Sequence, residues 1–263
     1  MIVATLPPVI VDVFVIAFGL LVGSFLNVCI HRLPRKQSIV FPASRCPGCG
    51  HALAWYENVP VLSYAVLRGR CYSCHAPISI RYPIIEVITA GLFIWHWWVF
   101  GWTALFFVRL AFGCALLVLF AIDLEHQILP DVITLPGIVV GFACSLLLPP
   151  GPVLSGAGIA AGGGILWLIA EVWFRIRKVE AMGFGDVKML AMVGAFLGLK
   201  LVVLVFVLSS MLGGVVGVAL IAGRRAQMAS KVPFGTMIAV ASLLASLYGD
   251  RIVDWYLSFF AMS

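Results

Sequence analysis

The residues most able to do chemistry in this chain are four cysteines and a handful of acids. Cys46 and Cys49 stand in "CPGCG", Cys71 and Cys74 in "CYSCH", and 21 residues separate the two pairs. Each Cys-x-x-Cys forms a tight knuckle presenting two thiolates, and four thiolates complete the tetrahedron that zinc prefers. Such a site leaves no open position for water, so the role expected of it is structural. His51 and His75 adjoin the knuckles as alternative ligands, and a disulfide or redox-active thiol pair is the competing reading. Cys29, Cys114 and Cys144 lie in apolar runs and read as small buried hydrophobes.

Of the 11 acidic residues, Asp12, Asp250 and Asp254 sit near span ends and need no special role. Glu86 and Glu171 lie just inside spans, and Asp123 and Asp186 are the informative pair. Asp123 closes one run in "FAIDLEHQILPD", which also carries Glu125, His126 and Asp131, and Asp186 opens another in "GFGDVK". An acid deep in a membrane span costs at least about 2.5–3.5 kcal/mol, less at a helix end. If the two helices pack together, their carboxylates meet in a partly desolvated pocket. Two close carboxylates cannot both ionise easily, so the pair shares a proton near neutral pH. The charged member then activates water while the protonated one donates to a scissile carbonyl, the arrangement of an aspartyl protease. Gly183 and Gly185 would let a substrate backbone approach Asp186 and adopt conformations closed to other residues. The plainer alternative is that Asp186 caps a helix N-terminus and Asp123 is an interfacial acid paired with a lysine. Asp131 reads as a cap or a supporting group.

The elements that must position these residues are membrane helices. The chain has 263 residues, 63% of them hydrophobic and 11% charged, with a mean hydropathy of +1.12. Soluble domains carry about 25% charged residues, so the composition is that of an all-α polytopic membrane protein. About eight transmembrane helices are expected, near 9–30, 83–100, 104–122, 132–149, 153–174, 187–198, 201–222 and 234–259, with "GLK" (198–200) as the break between the sixth and seventh. The division expected is a first span (1–30), a small cytoplasmic four-cysteine insertion resembling a zinc ribbon (31–82), and a transmembrane bundle (83–263). No Lys or Arg precedes the first apolar run, so it reads as a permanent span rather than a removable signal.

Orientation follows from the basic residues. Arg32, Arg35, Lys36, Arg45, Arg68, Arg70 and Arg81 fall in segment 31–82. Arg175, Arg177, Lys178 and Lys188 follow the fifth span, and Arg224, Arg225 and Lys231 precede the last. These are 14 of the 17 Lys and Arg on one side, which the positive-inside rule makes the cytoplasm. The net charge of +6 therefore marks topology and not nucleic-acid binding. Gly194-x-x-x-Gly198, Gly213-x-x-x-Gly217 and the Gly162–Gly164 run are expected at close helix contacts. A transporter would place charged groups across the membrane thickness, whereas the acids here cluster at one face. A scaffold that docks a partner would leave the aspartates without a purpose.

Taken together, "GSFLNVCIHRLP", the segment from Cys46 to Glu86, "IDLEHQILPD", "GFGDVKMLAMVGAFLG" and "VPFGT" resemble the type IV prepilin peptidases, membrane aspartyl proteases of the GxGD type. The resemblance runs over nearly the whole chain. It implies that Asp123 and Asp186 are the catalytic pair and favours Asp123 over Asp131. It implies cleavage at the cytoplasmic face of a bacterial inner membrane. The implied substrates are type IV prepilins or pseudopilins, with a basic leader ending in glycine and a hydrophobic helix after it. It also implies methylation of the new N-terminus from S-adenosylmethionine, with a peptidase lacking that activity as the alternative. Glu57, Asn58, Arg68, Arg70 and Arg81 are candidates for the methyltransferase only by their place in segment 31–82, and folding of that segment is the stronger reading of them.

Overall fold

The structure is a computed structural model that describes residues 7–178, 183–223 and 233–261. Arg224, Arg225, Lys231 and Val232 lie outside the described residues. The chain divides into two compact units, Met1–Phe106 and Phe107–Ser263.

The first unit contains α1 (Pro8–Arg32), a short α2 (Leu62–Val66) and α3 (Arg81–Phe100), with single 3-10 turns at Leu33–Arg35 and Trp55–Asn58. Apolar side chains surround α1 and α3, so what pairs them is close backbone approach rather than an apolar stripe. A Cβ on Gly19 would come 2.7 Å from the Ala90 Cα, and one on Gly23 2.6 Å from the Glu86 Cα. Buried Asn27 donates from Nδ2 to the Tyr82 carbonyl at 3.0 Å, which ties the end of α1 to the start of α3. At the opposite end Asp12 Oδ1 accepts from the indoles of Trp97 and Trp98 at 3.1 and 3.4 Å. These are two of the tryptophans that suit a membrane–water interface.

The second unit is built from α4 (Ala104–His126), α5 (Asp131–Ser145), α6 (Pro152–Arg177), α7 (Phe184–Ala222) and α8 (Phe234–Ala261). Six helices of the described residues are long and apolar enough to cross a membrane: α1 and α3 of the first unit, with α4, α6, α7 and α8. The 15 residues of α5 fall short of that length; at 1.5 Å per residue they reach about 22 Å against a hydrocarbon core of about 30 Å. The 39 residues of α7 are interrupted at Gly198, whose φ of 78° and ψ of 178° are not helical. This break falls at the expected "GLK" and divides α7 into arms 184–197 and 199–222.

The N-terminal arm of α7 is the centre of its unit. Asp186, Val187 and every residue from Met189 to Gly198 are buried, and a helix that is apolar all round belongs inside. Phe112, Leu116 and Leu119 of α4, Leu166 of α6 and Ile238 of α8 complete the core around Met189, Leu190, Met192 and Val193. The tightest seam is between α6 and α7. A Cβ on Gly194 would overlap the Gly158 carbonyl, one on Gly158 the Gly194 carbonyl, and one on Gly162 the Leu190 carbonyl. Ser155 Oγ also donates across this seam to the Ala195 carbonyl at 2.8 Å. Gly213, Gly214, Gly217 and Gly164 make no such approach; those parts of the expected glycine contacts are not where the helices meet most closely.

Candidate active site and four-cysteine centre

The four cysteines come together. One Sγ from each of Cys46, Cys49, Cys71 and Cys74 lies within 4.8 Å of all the others, and the Cys46 and Cys74 sulfurs are 3.7 Å apart. Four thiolates around a tetrahedral zinc, each at about 2.3 Å, stand about 3.8 Å from one another, so the donor set fits that ion. The two knuckles are the same structure repeated from Cys46 to Cys71. Cys46 N–H donates to the His51 carbonyl and Cys71 N–H to the Ala76 carbonyl, both at 2.9 Å. Each knuckle closes on a residue of positive φ, Gly50 at 73° and His75 at 57°. Isolated bridges Arg45–Ala52 and Arg70–Pro77 flank them. Backbone N–H groups of Cys49 and then Gly48 bring the Cys46 thiol down to about 7.

Neither histidine completes the metal set. His51 Nε2 instead lies 3.0 Å from Glu57 Oε2, and the same carboxylate accepts the Ala54 N–H at 2.7 Å. That backbone bond first, and His51 second, hold the buried Glu57 carboxyl below its usual range. Glu57 therefore holds its own loop together. Glu86, inside α3, accepts the Val61 N–H at 2.8 Å. Val61 has a φ of 60°, uncommon for a β-branched residue, so α3 itself fixes this turn.

In the second unit α4 delivers Asp123 in its last turn and α7 delivers Asp186 in its first. Both are buried, at 5% and 9% exposure. Leu129 packs beside both: its Cβ lies 3.0 Å from where a Cβ on Gly185, next to Asp186, would stand, and its Cδ1 3.0 Å from where a Cβ on Gly235 would stand, a place itself 2.8 Å from Asp123 Oδ2. The structure thus brings together two acids that stand 63 positions apart (186 minus 123). Asp123 Oδ2 accepts the Thr236 backbone N–H at 2.8 Å. Thr236 sits in the first turn of α8 and donates its own hydroxyl to the Pro233 carbonyl at 2.6 Å.

The two glycines before Asp186 differ from expectation. Neither has a positive φ, so no conformation closed to other residues is used there. Gly183 is exposed and precedes the helix in extended form, and the nearest atom to its missing Cβ, the Gly185 nitrogen, is 3.9 Å away. Gly185 instead packs tightly against a neighbour: a Cβ there would sit 3.0 Å from the Leu129 Cβ, which would have to give way. Space beside the carboxylates is thus real at Gly183 and filled by Leu129 at Gly185.

Asp131 and Lys188 form an ion pair rather than joining the carboxylates. Lys188 Nζ lies 2.7 Å from Asp131 Oδ1 and 2.8 Å from Oδ2. Sequence reasoning missed this pair, and it missed Leu129, Gly235 and Thr236. The "PFG" before Thr236 was the available signal, a proline and glycine at a helix start. Beyond this turn, an apolar cavity of about 390 Å³ opens between α6, the C-terminal arm of α7 and α8, with Phe234 and Met237 on one wall and Ser210, Gly213 and Gly214 on another.

Comparison with known proteins agrees with this layout. The model of the bacterial peptidase A24 N-terminal domain matches residues 17–100, and that of the type IV leader peptidase family matches residues 110–218. A prepilin leader peptidase/N-methyltransferase of Pseudomonas aeruginosa is 38% identical over 273 residues, covering 93% of this chain and 92% of that protein. The protein of the same description from Myxococcus xanthus is 43% identical over 229 residues, covering 85% and 68%. One from Aeromonas salmonicida is 37% identical over 274 residues, covering 93% of both. No solved structure matches. A multi-pass helical chain with a four-cysteine cluster and two buried carboxylates, similar over nearly its whole length to these enzymes, belongs to the type IV leader peptidase family.

Proposed function

We propose that this enzyme removes leader peptides from type IV prepilins or pseudopilins with Asp123 and Asp186 as its catalytic pair. The observation that carries the reading is their setting: each is buried at a helix end, and Leu129 packs against the first turn of α7 at Gly185, next to Asp186, and against the first turn of α8 at Gly235, next to Asp123 Oδ2. One carboxylate takes a proton from water as it attacks the scissile carbonyl, and the other, protonated, donates to the departing amine. The bond broken is the peptide C–N, and no covalent enzyme intermediate forms. The open flank at Gly183 gives the residue before the scissile bond room to approach. The apolar cavity walled by Phe234 and Met237 suits the hydrophobic segment that follows.

The excess of Lys and Arg on one side of the predicted spans supports a cytoplasmic active site in a bacterial inner membrane, with the basic leader left in the cytoplasm. Zinc is the metal proposed for Cys46, Cys49, Cys71 and Cys74, where it would staple a segment with little core of its own. The relatives' description pairs the peptidase with an N-methyltransferase, and we extend that activity to this chain with S-adenosylmethionine as donor. Among the described residues there is no glycine-rich strand–turn–helix cradle for a nucleotide-like cofactor, so no residue is assigned to methyl transfer and no step is derived through the donor.

The test is mass spectrometry of a prepilin N-terminus after incubation with the purified chain and S-adenosylmethionine, which reads cleavage and methylation together. Asp123→Asn and Asp186→Asn, each folded, are expected to lose cleavage. Full activity in either would sink the pair.

A further inference from the structure

We infer that the first turn of α8 is a third component of the peptidase site, in which Thr236 and Gly235 are positioning residues that fix the Asp123 carboxylate. The inference rests on the catalytic reading of Asp123 and Asp186. A carboxylate at the end of an aspartate turns through a broad, nearly two-fold torsion, so nothing intrinsic to Asp123 sets its plane. The Thr236 N–H, 2.8 Å from Oδ2 in a buried setting, sets it.

That donor is itself held. Thr236 is 1% exposed, and its hydroxyl closes the turn on the Pro233 carbonyl at 2.6 Å. The first N–H groups of a helix have no partner within the helix, and a carboxylate is favoured at that end. Here the partner arrives from 113 residues away. The side chain of Thr236 orients the turn, and its backbone orients the acid.

Gly235 makes the approach possible. A Cβ there would stand 2.8 Å from Asp123 Oδ2, 3.1 Å from its Cγ and 3.0 Å from Leu129 Cδ1. Any larger residue must displace the carboxylate or Leu129. Leu129 also abuts the place where a Gly185 Cβ would be, so one leucine separates the first turns of α7 and α8. That spacing sets where Asp123 stands relative to Asp186, and catalysis by a pair of groups depends on such placement.

The experiment uses the full chain in detergent with a purified prepilin, measuring kcat, KM and thermal unfolding. Thr236→Val keeps the shape and removes the bond to Pro233, and kcat is expected to fall by about tenfold or more with KM and unfolding temperature nearly unchanged. Thr236→Ser restores the hydroxyl and is expected to recover most of the lost kcat. Gly235→Ala should lower kcat in the same way, and it carries the test if Thr236→Val does not fold. Wild-type kcat in Thr236→Val or Gly235→Ala overturns the inference. So does a loss that Thr236→Ser fails to repair, or one that appears only in KM or stability. Asp123→Asn, assayed beside them, separates the two ideas. Activity in Asp123→Asn defeats the catalytic reading itself, whereas an inactive Asp123→Asn with an unimpaired Thr236→Val defeats the positioning role alone.

Discussion

Lys188 Nζ spans both oxygens of Asp131, at 2.7 and 2.8 Å, and so joins the second turn of α7 to the first residue of α5. Asp131 and Asp123 sit in one short stretch of sequence, yet the structure gives them unlike surroundings. Asp131 is half exposed and paired with a cation, while Asp123 is buried and bonded to a backbone N–H.

Asp131→Asn is therefore expected to be mild. A partly exposed ion pair is worth about 0–1 kcal/mol, so stability should change by no more than that and cleavage by only a few-fold. Lys188→Met should match it. Asp123→Asn, by contrast, should leave no cleavage in the same assay. Equal losses in Asp131→Asn and Asp123→Asn would contradict the division of roles.

Metal content should follow the four thiolates. Zinc near one ion per chain is expected from elemental analysis, falling in Cys46→Ser or Cys71→Ser. Because the ligands bind as thiolates, acidification competes with the metal. The Cys46 thiol lies at about 7, lowered from its ordinary value, so it is ionised above that pH and protonated below it. Against the lowering pull of the Ala76 N–H, the neighbouring thiols and burial push the Cys74 thiol up to about 11. Retention against a chelator should therefore weaken steadily as pH falls, more steeply below about 7 where Cys46 also protonates, and should not weaken as pH rises.

Between α6 and α7 there is no space for a methyl group. Gly194→Ala would drive its Cβ into the Gly158 backbone, and overpacking of this kind costs about 1–3 kcal/mol or more. Gly164→Ala meets nothing within 4 Å and should stay within about 0.5 kcal/mol of the parent. Thermal unfolding in one detergent would compare them.

Filling the cavity tests where the substrate's apolar segment goes. A Cβ on Gly213 would stand 3.8 Å from Phe234 Cδ2 and 3.9 Å from Met237 Cγ, ordinary contact on the side of the cavity, so Gly213→Leu is expected to fill it. The expected result is a KM raised by about tenfold with kcat little changed, the signature of lost binding common to ground and transition states. An unaltered KM would place the segment elsewhere.

The legible parts of this chain were those whose physics is local. Hydrophobic length marks α1, α3, α4, α6 and α8, and the thiolate spacing marks the four-cysteine cluster, because each signal lies within a few neighbouring residues. Gly198 betrayed the break in α7, since only glycine adopts a φ of 78° without strain. At Gly185 the spacing suggested substrate access, while the packing of Leu129 against it could not be read from sequence. The bond from Thr236 to Asp123 was not legible at all. Its donor is a backbone N–H, which every residue but proline possesses, and its partner is fixed only once α4 and α8 have packed. The Lys188–Asp131 pair was hidden likewise, by a separation of 57 residues.

The repeat of one knuckle by the other has a consequence for the order of assembly. Each half offers two sulfurs, and two are too few to hold a structural zinc against water. During synthesis the four-sulfur set is therefore incomplete until Cys74 has been made. Only six residues then remain before α3 begins at Arg81. Capture of the proposed ion would then coincide with the moment α3 follows. Under the zinc proposal, a bound metal would certify that both halves have been made and have found each other.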